Sequence, residues 1–282
     1  MIGVQKKMLN VKSIARFAPV LLILALIFGS LAGCSSSGSG QGMQPGAATP
    51  AELYVLAAAS LADAMKELAP MYEASHPGQK LVTSFGSSGT LQQQIEQGAP
   101  ADLFLSAAAK QMEALVEKGF IDEKNTVNLL QNQLVLVVPL DAGTPPKNFA
   151  DLKNPAVNNV AIGNPQSVPA GAYAKETLTN LGIWDMLKSK FVFAKDVRQV
   201  LSYVETGNAD AGIVYKTDAM SSGKVAIAAT ADEKSHSPIV YPLGIVKHSK
   251  HPEEAKTLYD WLQGPEATAV FDKYGFEPAG KP

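Results

Sequence analysis

Residues 53–72 read LYVLAAASLADAMKELAPMY. The first five residues form an apolar run typical of a buried strand. From Leu61 to Tyr72, apolar residues then recur three or four positions apart, as they do along one face of a helix. Ser60 stands where the first pattern changes to the second. This stretch therefore predicts a strand that turns directly into a helix, which is the repeating unit of α/β folds.

The same alternation continues along the rest of the chain. Further strands are predicted at Lys80–Ser84, Asp102–Ser106, Leu134–Val138, Val160–Ile162, Phe191–Phe193, Ala211–Tyr215 and Ile239–Val246. Helices are predicted near residues 90–97, 110–118, 170–181, 197–205, 252–263 and 265–274, and several of them are followed by a glycine. The pattern predicts two α/β lobes with a cleft between them. Residues 51–132 and 239–282 form the first lobe, residues 133–238 form the second, and the apolar run Leu134–Val138 is long enough to cross between them.

Composition excludes several classes of protein. The chain has 282 residues, of which 46% are apolar and 18% charged, and its formal charge is −2. Such a chain can bury a core along most of its length and is not disordered overall. Its 24 basic and 26 acidic residues provide no basic surface for nucleic acid, and its single cysteine excludes a disulfide scaffold.

The first 33 residues differ from the remainder. They contain four basic residues and no acidic one, an apolar run from Ala18 to Phe28, and then small residues. This order is typical of a secretory signal peptide, and the apolar run is short for a membrane span. Without residues 1–33 the chain has 20 basic and 26 acidic residues.

Cys34 is the only cysteine and directly follows Leu31-Ala32-Gly33. That run resembles the bacterial lipoprotein box, in which the cysteine becomes the lipidated first residue of the mature protein. Residues 34–50 are rich in Ser, Gly, Gln and Pro, which predicts a flexible tether. We therefore expect an exported protein, anchored by lipid at the outer face of the cell membrane or in the periplasm. The alternative is an ordinary export signal, or a free buried thiol.

Four predicted turns each lead from a strand into the start of a helix, and the first three contain small, hydroxyl-bearing or proline residues. They lie at Ser60, at Phe85–Thr90, at Ser167–Gly171 and at Lys195–Val197. A helix start has unpaired N–H groups and a partial positive charge, so four starts in one cleft would form an anion site without a basic side chain. The alternative is that each turn only caps its helix, and Ser60 with Asp63 also fits a capping box.

Five short motifs occur in a fixed order along the chain: Ala57-Ala58-Ala59-Ser60-Leu61, SFGSSGTL at 84–91, GAPADL at 98–103, VPAG at 168–171 and GIVY at 212–215. This order resembles that of the molybdate-binding proteins of bacterial ABC importers, which are type 2 periplasmic binding proteins. The resemblance extends from about Glu52 to Phe276. It implies an α/β fold of two lobes, each a sheet flanked by helices, with the ligand in the cleft between them.

In that family two serines, two backbone amides and a tyrosine hydroxyl hold a tetrahedral oxyanion. The resemblance implies that the corresponding residues here are Ser60, Ser88, Ala170, Val197 and Tyr215. The chain has Gly86 and Gly89 where the family often has serines, which leaves Ser87 as the alternative to Ser88. Tyr215 could instead be a core residue. The molybdenum would be held only through its oxygen atoms, and no cofactor is implied.

The chemistry of molybdate agrees with such a set of donors. Molybdate is a fully ionised dianion at neutral pH and offers only acceptors. Hydrogen phosphate retains a proton, which would remain unpaired at a cost of about 1–3 kcal/mol if no acceptor were present. Sulfate has the same charge and shape with shorter bonds, so its rejection depends on the size of the cavity.

The resemblance implies an extracytoplasmic lipoprotein that captures molybdate, and also tungstate, and delivers it to an ABC permease. We expect a monomer that binds no nucleic acid and is not an enzyme. One alternative is a receptor for another tetrahedral oxyanion such as sulfate, and another is a secreted serine hydrolase.

The sequence offers little support for the hydrolase. A Gly-x-Ser-x-Gly elbow is absent because position 90 is a threonine, and there is no Walker loop. A histidine within hydrogen-bonding reach of Ser60 or Ser88 would favour this alternative. His248 and His251 lie closest together among the four histidines, and we expect all four in solvated loops rather than at a metal site.

Overall fold

The computed structural model describes residues 50–280, in which strands and helices alternate. The predicted signal peptide, Cys34 and the tether as far as residue 49 lie outside the described residues. The strands are β1 (Ala51–Ala58), β2 (Gln79–Gly86), β3 (Leu103–Leu105), β4 (Ile121–Gln131), β5 (Leu134–Pro139), β6 (Val160–Gly163), β7 (Phe191–Ala194), β8 (Ala211–Tyr215), β9 (Val225–Thr230), β10 (Val240–Val246) and β11 (Glu277–Pro278). The helices are α1 (Ala62–Ser75), α2 (Ser88–Glu96), α3 (Ala109–Glu117), α4 (Pro169–Asn180), α5 (Trp184–Leu187), α6 (Val197–Glu205), α7 (Lys216–Met220), α8 (Pro252–Trp261) and α9 (Pro265–Lys273). None of these helices is long and apolar enough to cross a membrane.

The strands form two sheets, and each sheet mixes parallel and antiparallel pairs. The first sheet has the order β11-β4-β10-β3-β1-β2, with β1 parallel to β2 and β3, and β10 antiparallel to β3 and β4. The second has the order β7-β6-β8-β5-β9, with β6 parallel to β7 and β8. Parallel neighbours need a crossover, which is here a helix, so helices cover both sheets. The predicted α/β architecture of two lobes is confirmed.

The chain passes from the first sheet to the second at Asn132 and Gln133, between β4 and β5, and returns between β9 and β10. Strands within residues 51–131 and 240–278 build the first sheet, and strands within 134–230 build the second. Leu134–Val138, which is long enough to cross between the lobes, does not itself do so, because these residues form β5 inside the second sheet. Their continuous apolar character reflects the complete burial of this strand.

A continuous apolar core extends through both lobes, and a smaller one lies on the other face of the first sheet. Strand β1 contributes to both, because successive side chains of a strand point to opposite faces. Val55 and Ala57 belong to the large core, whereas Leu56 packs with residues of α2 and α3 in the smaller one. The end of β1, and with it the turn that contains Ser60, is thereby held from both sides.

Sequence patterns did not predict the strands β4, β9 and β11 or the short helices α5 and α7. Strand β4 carries Asp122, Glu123 and Lys124 and is only partly buried, so its pattern is typical of a loop. It is extended because it pairs with β10 on one side and β11 on the other. Strand β9 is an edge strand of the second sheet and, among the described strands, pairs with β5 alone. Such strands depend on partners that are distant in the sequence.

Candidate functional site

Four helix starts meet in one cleft between the two sheets. A pocket of about 200 Å³, including the part open to solvent, is lined by residues from the turn before α1, from the starts of α2, α4 and α6, and from the end of β8. The five residues that the resemblance implied all line this pocket, together with the alternative serine: Ser60, Ser88, Ala170, Val197, Tyr215 and Ser87. The structure therefore brings together residues from five separate segments of the chain.

Ser60 lies in a short 3-10 turn, Ala59–Leu61, and is buried. Its Oγ lies 2.9 Å from the Oη of Tyr241. The predicted capping box of Ser60 and Asp63 is wrong, because neither the turn nor α1 has a side-chain cap. Asp63 instead forms an ion pair with Arg198 of the other lobe. The Ser60 hydroxyl is thus not occupied by a backbone N–H of its own helix.

The two serines at the start of α2 have different hydrogen-bond partners. Ser87 is the N-cap: its Oγ accepts from the N–H of Thr90 at 3.2 Å and donates to Thr90 Oγ1 at 2.8 Å. Ser88 is fully buried, and its Oγ accepts from the N–H of Ala107 at 2.9 Å. Within residues 50–280 the Ser88 proton has no acceptor. Ser88 can therefore donate to a ligand, whereas the Ser87 proton is already used.

The starts of α4 and α6 present backbone N–H groups to the pocket. Pro169 is the first residue of α4 and has no N–H, so Ala170 provides the first donor of that helix. Val197 is the first residue of α6 and follows Asp196, whose carboxylate caps the helix by accepting from the N–H of Gln199 at 2.8 Å. Neither Ala170 N–H nor Val197 N–H has an acceptor in the described part of the chain. Both donors lie at the positive end of a helix dipole.

Two glycines allow the close backbone approaches that shape the cleft. A Cβ at Gly171 of α4 would lie 2.0 Å from the carbonyl oxygen of Gly163 in β6, so only glycine fits there. Gly89 of the first lobe donates its N–H to the carbonyl oxygen of Ser167 in the second lobe at 3.0 Å. A Cβ at Gly89 would lie 2.5 Å from that same oxygen. The two lobes therefore touch through bare backbone.

Tyr215 ends β8 and is buried at the junction of the lobes. Burial raises the pKa of its hydroxyl well above the usual value, and the nearby Tyr241 raises it further. The group therefore keeps its proton and remains a donor. In this structure it donates to the carbonyl oxygen of Ala107, in the first lobe, at 3.3 Å.

A cation lies beside the pocket, but two carboxylates neutralise it. Arg198 Nη2 lies 2.7 Å from Asp63 Oδ2 across the cleft, and Arg198 Nε lies 2.8 Å from Asp218 Oδ1 in its own lobe. The second contact is a close ion pair without hydrogen-bond alignment. Burial raises the pKa of Asp218 to about 7, against the lowering effect of Arg198. The pocket itself is lined by hydroxyls, amides and apolar groups.

None of the four histidines lines the pocket that contains Ser60 and Ser88. The side chains of Ser60 and Ser88 have no histidine among their hydrogen-bond partners. His248 and His251 line a different pocket of the first lobe, and His76 stacks on Tyr72. Residues 50–280 contain no group of three or more His, Cys, Asp or Glu side chains placed to hold a metal ion.

Comparison with known proteins identifies the family. Residues 53–277 match the family described as bacterial extracellular solute-binding proteins. The chain belongs to this family. It is thus a solute-binding protein, and its family is not one of enzymes.

Individual relatives agree with this assignment. The Bacillus subtilis (strain 168) protein named "Putative ABC transporter substrate-binding lipoprotein YvgL" is 51% identical over 246 residues, which cover 87% of this chain and 92% of that protein. The molybdate-binding protein ModA of Escherichia coli (strain K12) is 43% identical over 234 residues, with 80% and 88% covered. The solved periplasmic molybdate-binding protein of Azotobacter vinelandii has a TM-score of 0.71 at 28% identity, with 79% and 98% covered. This solute-binding protein therefore has the type 2 periplasmic fold and is of the ABC-transporter kind, and its resemblance to molybdate-binding proteins is confirmed.

Proposed function

We propose that this solute-binding protein captures molybdate, and also tungstate, outside the cytoplasm and delivers it to an ABC permease. The observation that carries the proposal is the set of donors in the cleft. Two serine hydroxyls, a tyrosine hydroxyl and two backbone N–H groups without acceptors line one buried pocket. The relatives named as molybdate-binding proteins support the choice of anion.

The proposed ligand and the pocket have complementary hydrogen-bonding properties. A dianion such as molybdate has only acceptors, and each hydrogen bond from the protein to a charged group contributes about 1.5–3 kcal/mol. Helix starts add a favourable partial positive charge without a mobile cation. No carboxylate of residues 50–280 lines the pocket, so the proton of hydrogen phosphate would find no ionised acceptor there.

Capture requires both lobes. Ser60 and Ser88 lie in the first lobe, whereas Ala170, Val197 and Tyr215 lie in the second. An anion that accepts hydrogen bonds from all five residues holds the lobes together. If the lobes separated, one set of donors would lose the anion and would have to bond to water instead. The permease then recognises the lobes in their closed arrangement. The alternative ligand, sulfate, would use the same donors and differ only in its smaller size.

Binding of the anion to the purified full chain tests the proposal. A ligand at 100 times its dissociation constant stabilises the folded state by about 2.7 kcal/mol. At about 2–4 °C per kcal/mol, the melting midpoint should then rise by several degrees. Molybdate and tungstate should produce this shift at low concentration, sulfate only at far higher concentration, and phosphate hardly at all. A sulfate shift equal to that of molybdate would transfer the assignment to sulfate, and the absence of a shift with every oxyanion would refute an oxyanion receptor.

We also propose that Cys34 carries the lipid anchor, that residues 34–50 form a flexible tether, and that the protein acts as a monomer. The lipoprotein box, the preceding signal peptide and the relative named a lipoprotein support the anchor. Buried acyl chains contribute about 0.8 kcal/mol per CH₂, so their loss should release the protein. Cys34→Ser, which keeps residues 1–33 for export, should therefore appear in the soluble extracytoplasmic fraction. Equal membrane retention of the variant and the parent would refute the anchor.

A further inference from the structure

We propose that Tyr241 is a positioning residue that directs the hydroxyl proton of Ser60 into the pocket and so makes Ser60 an obligate donor. The inference rests on the proposed oxyanion function and adds a reason for the selectivity of that site. Tyr241 does not line the pocket itself and lies behind Ser60, which does. Any effect of Tyr241 on the ligand must therefore pass through another residue.

The hydrogen bonds that orient the Tyr241 hydroxyl start at Asn132, where the chain crosses between the lobes. The Oδ1 of Asn132 accepts from the backbone N–H of Gln133 at 2.9 Å, which sets the orientation of the amide. Its Nδ2 then faces two hydroxyl oxygens, that of Tyr241 at 3.1 Å and that of Thr217 at 2.9 Å. An amide NH₂ group has two protons and no acceptor capacity, so it donates to both.

This donation determines the direction of the next hydrogen bond. Tyr241 has one hydroxyl proton, and its Oη already accepts from Asn132. Burial raises the pKa of Tyr241 well above the usual value, so the proton is retained. Among residues 50–280 the remaining group in hydrogen-bond geometry with Tyr241 Oη is Ser60 Oγ at 2.9 Å, whereas the nearby Tyr215 hydroxyl bonds to the carbonyl oxygen of Ala107. Tyr241 therefore donates to Ser60, because the opposite direction would leave a buried hydroxyl proton without an acceptor.

The Ser60 hydroxyl proton can be donated only toward the pocket. Its Oγ accepts from Tyr241, and no acceptor for the Ser60 proton is found in the described chain, so the proton points into the pocket. Ser88 is in the same situation, because the N–H of Ala107 occupies its oxygen. Both serines thus present protons, which suits an anion that has only acceptors. An oxyanion that retains a proton, such as hydrogen arsenate, would need one of these hydroxyls to turn around.

Packing holds the Tyr241 ring in position for this role. The register between β10 and β4 shifts between Tyr241 and Pro242, and such a bulge changes the direction of the side chains next to it. The ring packs edge-on against Phe276 at a centroid distance of 5.3 Å and against Tyr215 at 5.7 Å. Substitution by phenylalanine therefore removes the hydroxyl and leaves the ring contacts.

A double-mutant cycle tests the proposal. Tyr241→Phe, Ser60→Ala and the double variant are compared with the wild type by calorimetric titration with molybdate. We expect Tyr241→Phe to weaken binding about three- to tenfold in the wild-type background. The same substitution should have no further effect once Ser60 is alanine, because Tyr241 acts only through that hydroxyl. A structural role of the Tyr241 hydroxyl would weaken binding equally in both backgrounds.

Selectivity provides a second measurement. In Tyr241→Phe the Ser60 proton can rotate away and the oxygen can accept, so affinity for hydrogen arsenate should stay constant or rise while affinity for molybdate falls. Tyr72→Phe is the matched control, since Tyr72 is as deeply buried in the first lobe and its hydroxyl bonds to Gln79 away from the cleft. This control should leave the ratio of the two affinities unchanged.

The outcomes separate this inference from the proposed function. A wild type that binds no oxyanion overturns both. Normal wild-type binding with equal losses in the two backgrounds, or an unchanged ratio of the two anions, overturns only the role of Tyr241. Neutron diffraction of the wild type reads the same proton directly and does not depend on a variant that folds: the Tyr241 deuterium must lie toward Ser60, and any other position refutes the inference.

Discussion

Gly89→Ala should weaken ligand binding without weakening the ligand-free fold. The substitution adds one methyl group to α2 where the first lobe touches the second. Its Cβ would lie 2.5 Å from the carbonyl oxygen of Ser167, whereas ordinary contact begins near 3.4 Å. The lobes must therefore separate by about 0.9 Å at this point, and the hydrogen bond from Gly89 N–H to Ser167, 3.0 Å long, is stretched or lost.

The expected magnitude follows from these two effects. Overpacking costs about 1–3 kcal/mol, and the lost hydrogen bond about 0.5–1.5 kcal/mol. Both costs apply only when the lobes are in contact, and we expect the lobes to separate in the ligand-free protein, so affinity for molybdate should fall about tenfold or more. Within α2 itself alanine is favoured over glycine by up to about 1 kcal/mol. The melting midpoint of the ligand-free protein should consequently stay constant or rise.

Calorimetric titration and ligand-free melting measure the two effects separately. Gly223→Ala is the neutral control, because a Cβ there meets nothing within 4 Å and the backbone is not left-handed. Gly171→Ala is the opposite control, since its overlap with Gly163 lies inside one lobe and should lower the ligand-free stability. Unchanged molybdate affinity in Gly89→Ala, or a ligand-free destabilisation like that of Gly171→Ala, would refute the reasoning.

Two further predictions concern the serines of α2 and the buried carboxylate. Ser88→Ala should weaken molybdate binding about tenfold or more, because it removes a donor to a charged acceptor. Ser87→Ala should mainly cost about 1 kcal/mol of stability through the lost helix cap. Titration and melting of both variants distinguish the two serines, and the reverse pattern would make Ser87 the contact. Asp218 has a pKa of about 7 in the folded state and about 4 in the unfolded state. Between these two pH values the folded state therefore binds more protons than the unfolded state. The free energy of unfolding should consequently fall as the pH rises from about 4 to about 7. Asp218→Asn should remove that fall in denaturant titrations at pH 5 and pH 8, and an unchanged pH dependence would contradict the shifted pKa.

Most elements of the fold could be predicted from local patterns. The strand at residues 53–57 and the helix after it were predicted correctly because their apolar residues follow the two periods of strand and helix. Strand β4 could not be predicted, since charged residues like those it carries occur in loops as well as in half-exposed strands. Its extended conformation depends on pairing with β10 and β11. An apolar run such as Leu134–Val138 shows that a strand is buried but not which sheet it joins, and here its pairing with β8 and β9 places it inside the second sheet.

For the site as well, some features follow from the sequence and others depend on the tertiary structure. The resemblance to molybdate-binding proteins implied the five residues, and all five line one pocket in the structure. The capping box of Ser60 and Asp63 failed because both side chains have stronger partners elsewhere, Tyr241 for the serine and Arg198 for the aspartate. No spacing in the sequence points to Tyr241, which lies 181 positions after Ser60.

The sequence by itself determined most of the order of strands and helices, the predicted export signal, and which groups stand at the helix starts. These follow from interactions between residues a few positions apart, such as the Asp196 cap and the missing N–H of Pro169. Only the tertiary structure decided which protons remain available. The Ser88 proton remains available to a ligand because the N–H of Ala107 donates to the Ser88 oxygen. The Ser60 proton is available only if Tyr241 donates to the Ser60 oxygen. A hydroxyl can donate or accept, and the choice depends on neighbours that folding brings from distant parts of the chain.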